Sequence, residues 1–93
     1  MITKIDYEKF IETKKEVDID DEFSLYFNRG VEVYDQQKAD FVKIPAVEIW
    51  NNVERYPFIS LPIWSETKQS EINLAKMAIN MLKCLSKVYE DLE

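Results

Sequence analysis

Hydrophobic positions change period along this chain, and the changes mark out its elements. Tyr7, Phe10 and Ile11 follow i, i+3, i+4 spacing, the signature of one helix face. Thr3 suits an N-cap with Asp6 three residues on, and Ile2 and Tyr7 fall at hydrophobic-staple positions. The pattern predicts a helix from Lys4 to about Lys15. From Phe23 the period drops to two: Phe23, Leu25 and Phe27 alternate with Ser24 and Tyr26, then Val31 and Val33 with Glu32 and Tyr34. Asn28-Arg29-Gly30 lies between the two runs and holds the chain's one glycine, so a hairpin turn is expected there. A third strand follows over Asp40 to Ile44.

Pro45 suits the first position of a helix, and Ala46, Ile49, Trp50 and Val53 would then share one face. The expectation is a short helix from Pro45 to Arg55, stopped by Pro57. The next stretch, PFISLPIW, has β-formers, but Pro62 lacks an N–H and so demotes it to an edge strand or an extended arm. Phe58, Ile59, Leu61 and Ile63 are its candidate core residues. From Glu66 to about Glu90 the helical period returns. Leu74, Ala78, Met81, Leu85, Val88 and Leu92 form a heptad-like seam, and Ile72, Ala75 and Ile79 widen the apolar arc beyond it. An arc that wide needs a second covering surface, from this chain or another. The elements add up to one α+β domain over residues 1–93. It has a small antiparallel sheet of three or four strands, an N-terminal helix, a short middle helix and a long C-terminal helix, in the order αβββαβα.

Charge sharpens the picture. The net charge is −6, from 18 acids and 12 bases. Residues 1–22 carry 8 of the acids against 4 bases, and Glu16 to Glu22 hold five acids and no base. That balance opposes binding to nucleic acid through its phosphates. No apolar run reaches membrane-spanning length, and the N-terminus has no signal-peptide core, so a cytoplasmic protein is expected.

Catalytic chemistry finds few candidates. The chain has no histidine, which removes the commonest general base and Ser-His or Cys-His nucleophile pairs. Cys84 falls beside Met77, Met81 and Val88 by helical spacing, which predicts a buried, inert thiol. Asp18, Asp20 and Asp21 loosely resemble the start of a calcium loop. Its glycine and closing glutamate are replaced by Phe23 and Arg29. No enzyme activity, metal or cofactor is expected.

What remains is binding. Glu8, Glu12 and Glu16 are each one helical turn apart, and with Asp18, Asp20, Asp21 and Glu22 they would form an acidic surface. The plainer reading of the acidic connector is a solvated turn. Trp64 stands at the corner before the last helix, either as core or as a binding anchor. Ile72 and Ile79 would carry a contact if the apolar arc meets a partner. Short, acidic, single-domain chains without catalytic residues include anti-CRISPR and anti-restriction proteins of phages and mobile elements, antitoxins and nuclease immunity proteins. This chain's profile is similar to theirs. That implies an inhibitor that occludes the basic surface of a nucleic-acid-handling protein. The alternatives are a homodimer or assembly module working through the C-terminal helix, as in phage accessory or chaperone-like proteins, and a small enzyme or ligand-binding domain.

Overall fold

The computed structural model describes residues 4–85. Their order is α1 (Tyr7–Thr13), β1 (Val17–Asp18), β2 (Phe23–Asp35), β3 (Asp40–Asn51), β4 (Tyr56–Pro62) and α2 (Lys68–Leu85). The strands form one antiparallel meander, β1-β2-β3-β4. The fold is α+β, with an N-terminal helix, a long C-terminal helix and a four-stranded sheet.

Helix α1 is shorter than its periodicity suggests. Asp6 caps it, with Oδ1 accepting the Lys9 N–H at 3.0 Å. Thr3 and Ile2 lie outside the described residues. The helix stops where Lys14 turns left-handed (φ 56°) and its N–H closes on the Phe10 carbonyl. Tyr7, Phe10 and Ile11 are buried as their spacing requires.

Two sequence expectations are corrected in the sheet. The chain does not turn at Asn28-Arg29-Gly30. Strand β2 runs through it, paired with β3 from Phe23↔Asn51 to Asp35↔Asp40, with a register irregularity between Asn28 and Val31. Gly30 has no positive φ. The turn instead occupies residues 36–39. There Asp35 Oδ1 accepts the N–H groups of Gln37 and Lys38, and Ala39 takes φ 52°. The side chain of Asp35 supplies the acceptor that makes the reversal local.

The segment 45–55 is not a helix. Residues 45–51 belong to β3, and a turn at 52–55 follows, in which Asn51 Oδ1 accepts the Val53 and Glu54 N–H groups. Pro45 is tolerated in this inner strand because its backbone turns toward β4, just beyond that strand's last residue Pro62, so its missing N–H takes no bond from the β2 ladder. Its carbonyl still accepts the Ile63 N–H at 2.8 Å. β-branched residues at 42, 44, 47 and 49 then favour the strand.

Strand β4 is an edge strand, as Pro62 implies. Because Ile63 donates to Pro45, alternation turns the backbone of Pro62 away from β3. The missing N–H of Pro62 therefore costs the sheet nothing and blunts its open edge.

Both helices cover one face of the sheet. The core joins Phe10 and Ile11 of α1 to Leu25, Phe27, Val47, Ile49 and Ile59 of the sheet, and to Ala75, Ala78, Ile79 and Leu82 of α2. The buried stripe of α2 is thus 75/78/79/82, rotated from the expected heptad seam: Ala75 and Ile79 are the core, whereas Met81 and Leu85 are exposed. Val88 and Leu92 of that seam lie outside the described residues. Along the hairpin, core membership ends at Phe27 and Val47. Residues 28–46 run on as an arm, and the longest molecular dimension, 44 Å, matches about 43 Å for a 13-residue strand.

Candidate protein-interaction face

The side of the sheet away from the helices carries the most unusual chemistry. In a half-covered antiparallel sheet the outward positions are ordinarily polar. Here the register places Asp18 of β1, Ser24, Tyr26, Asn28, Val31 and Val33 of β2, and Val42, Ile44, Ala46, Glu48 and Trp50 of β3 on that face. Val31, Val33, Val42 and Ile44 are half-buried but do not pack on the core, so they shield only one another. Among the described residues, no second layer covers them.

At the near end of this face lies a buried carboxylate. Glu48 is 2% exposed on a surface with nothing stacked above it. Its Oε1 accepts from Asn28 Nδ2 at 3.1 Å and from Trp50 Nε1 at 2.9 Å, and its Oε2 accepts from Ser60 Oγ at 2.6 Å. Each donor is held by the sheet: Asn28 sits diagonally across on β2, Trp50 two residues on along β3, Ser60 directly opposite on β4. The rings of Tyr26 and Trp50 meet at 5.6 Å and 72°. Beside them Asn52 Nδ2 donates to the buried Ser24 Oγ, and that hydroxyl faces Asp18 Oδ1 at 3.4 Å. All three side chains bound to Glu48 are neutral. Buried carboxylates are ordinarily paired with a cation, and no lysine or arginine occupies an outward register position among the described strand residues.

The acids singled out by sequence are dispersed by the fold. Glu8 and Glu12 share one cation: Lys68 Nζ lies 3.1 Å from Glu8 Oε1 and 2.6 Å from Glu12 Oε1, tying α1 to the start of α2. The bond from Lys68 lowers the Glu12 pKa, and in return the Glu12 bond, then that of Glu8, raises the Lys68 pKa. Glu16 leaves this stripe, because α1 ends at Thr13. Asp20 Oδ1 accepts the N–H groups of Glu22 and Phe23 at 2.8 and 2.7 Å and so shapes the turn into β2. Asp21 and Glu22 are exposed, and Asp18 alone joins the open sheet face.

The apolar candidates divide as well. Ile79 is wholly buried and Ile72 half-buried against the core, so α2 uses them within the chain. Trp64 is 61% exposed. It borders a groove of about 310 Å3 with Pro62, Leu74 and Met77. Cys84 is exposed, contrary to expectation, because the buried stripe turns its position outward.

Sequence pattern singles out none of Tyr26, Asn28, Glu48 and Ser60 as binding residues, and helical spacing puts Trp50 on the inner face of a short helix. A signal was present: FVKIPAVEIW is apolar at both strand parities, the pattern of a strand with two apolar faces. Pro45 pointed instead to a helix and masked it.

The fold and face define an α+β chain with a bare, aromatic and aliphatic sheet surface. No family model, curated protein or solved structure matches the chain. Among the described residues no helix is long and apolar enough to cross a membrane.

Proposed function

We propose that this chain is a non-catalytic protein-binding protein that recognises a partner through the open face of its sheet. The partner presents a basic surface, and the chain acts by occluding it. This is the mode of an inhibitor or neutraliser of a nucleic-acid-handling protein, of the anti-CRISPR, anti-restriction, antitoxin or immunity type. The observation that carries the reading is the uncovered row of Val31, Val33, Val42 and Ile44 running into Tyr26 and Trp50 above Glu48. Apolar and aromatic groups supply desolvation energy, and the net charge of −6 supplies steering toward a cationic partner.

The test is affinity capture from the natural host with wild type and with Val33→Lys, identifying retained proteins by mass spectrometry. Val33 lies on the arm outside the core, so the variant keeps its circular dichroism. A basic protein retained by wild type, released by salt and lost with Val33→Lys is the expected result. Equal retention by both removes the sheet face from the function.

A second reading rests on a different surface. Trp64, Met77, Met81 and Leu85 are exposed along one flank of α2 and its approach. A homodimer or assembly contact would cover them. Light scattering over a range of concentrations tests it: a mass that stays at 11.1 kDa excludes the dimer.

A further inference from the structure

We propose that the corner formed by Tyr26 and Trp50 is a cation site that receives an arginine side chain of the partner; this rests on the sheet-face reading above and specifies its central contact. Three features of the corner converge. First, the two ring planes meet at 72°, so a planar guanidinium lying flat on one ring meets the other edge-on. Second, the indole N–H donates to the Glu48 carboxylate at 2.9 Å. That hydrogen bond draws positive charge out of the ring and makes its face more negative, which strengthens a cation resting on it. Third, Glu48 accepts from neutral donors only, so no cation of the described chain is bonded to it. Asp18 adds a second negative charge at the rim of the same face.

Three of the chain's cations lie on the opposite side of the sheet. Lys14 Nζ lies over the Phe27 ring at 5.2 Å, Lys76 Nζ over Tyr7 at 5.8 Å, and Arg29 borders Lys14, Phe27 and Pro45 on the helix side. None of these three competes for the corner. Arginine fits better than lysine because its guanidinium is flat and sheds water more readily than an ammonium.

The experiment uses N-acetyl-arginine amide as the probe. The indole N–H resonances of Trp50 and Trp64 are followed in nitrogen-labelled protein at low salt and millimolar probe. The expected result is a saturable shift at Trp50, little change at Trp64, and no shift with N-acetyl-citrulline amide, which is flat but neutral. Glu48→Gln keeps the shape of the network and removes the charge, and should weaken the probe about tenfold. Tyr26→Leu removes one wall without touching Glu48 and should weaken it similarly. No saturable shift at Trp50, an equal response to citrulline, or stronger binding of tetramethylammonium than of arginine each overturns the proposal. The two readings fail separately. Loss of the partner with Val33→Lys together with no arginine response keeps the sheet face and discards the cation site. A selective arginine response with partner capture unaffected by Val33→Lys keeps the cation site and discards the sheet face as the partner's docking surface.

Discussion

Replacing Glu48 in two ways separates its charge from its hydrogen bonds. Glu48→Ala leaves the Asn28 amide, the Trp50 indole N–H and the Ser60 hydroxyl without their acceptor. Glu48→Gln keeps all three contacts: its oxygen accepts from Asn28 and Trp50, and its amide donates to Ser60 Oγ, since a hydroxyl also accepts. Both variants remove the same buried carboxyl group, so its burial cost cancels between them, and their difference reports the network. An unsatisfied buried donor costs about 1–3 kcal/mol. Asn28 and Trp50 are half-buried and Ser60 is exposed, so water recovers part of this. We expect Glu48→Ala to be less stable than Glu48→Gln by about 2–3 kcal/mol, a Tm difference of roughly 10–20 °C in a domain of this size. Urea unfolding with an unchanged m-value is the assay. Equal stability of the two variants would refute the reasoning and leave the three bonds as geometry without energetic weight.

Other expectations concern the backbone, the core and the surface. Glycine and positive φ are mismatched in this chain: Gly30 sits in a strand where an added Cβ would meet Lys43 Cβ at 3.9 Å, an ordinary contact, whereas Ala39 adopts φ 52°. Gly30→Ala and Ala39→Gly should therefore each raise stability by about 0.5–1 kcal/mol, and a fall in urea midpoint for either would contradict the account. Ile79→Ala should cost about 2–5 kcal/mol by opening a cavity between α2 and the sheet, while Trp64→Ala should change stability by less than about 0.5 kcal/mol; comparable losses in chemical unfolding would reassign Trp64 to the core. The Lys68 bridge has a signed pH dependence. Glu12 has a lowered pKa, so its share is present above the unfolded pKa and disappears as pH falls through the folded value; Lys68 has a raised pKa, so its share disappears as pH rises through its own folded value. Lys68→Met should return the Glu12 carboxyl to its ordinary titration range in a carbon-detected NMR titration, and an unmoved Glu12 would show that another group sets it.

Local signals carried the two terminal helices and the first half of β2 well. Tyr7, Phe10 and Ile11 are buried, and Pro62 ends an edge strand. These depend on spacing within a few residues, and no distant contact overrides them. The candidate site was less legible. Glu48 reads in sequence as one more acid between apolar residues, and its meaning arises only when β2 brings Asn28 and β4 brings Ser60 to it, 20 and 12 residues away. The acidic stripe is altered by distant and local structure together: Lys68, 56 positions beyond Glu12, reaches back to Glu8 and Glu12, and Glu16 lies past the end of α1.

The amino-acid order alone therefore determined the class of fold, the two terminal helices, the acidic balance and the edge character of the proline-bounded strand. Each follows from periodicity, backbone geometry or composition, which act locally. Tertiary structure decided where the long hairpin turns, that Pro45 sits in a strand, which stripe of α2 is buried, and that one sheet face stays bare. Those outcomes depend on register, and register is set by strands meeting across the sheet: a pairing that buries Phe27 and Val47 under the helices sends Tyr26, Glu48 and Trp50 to the other side.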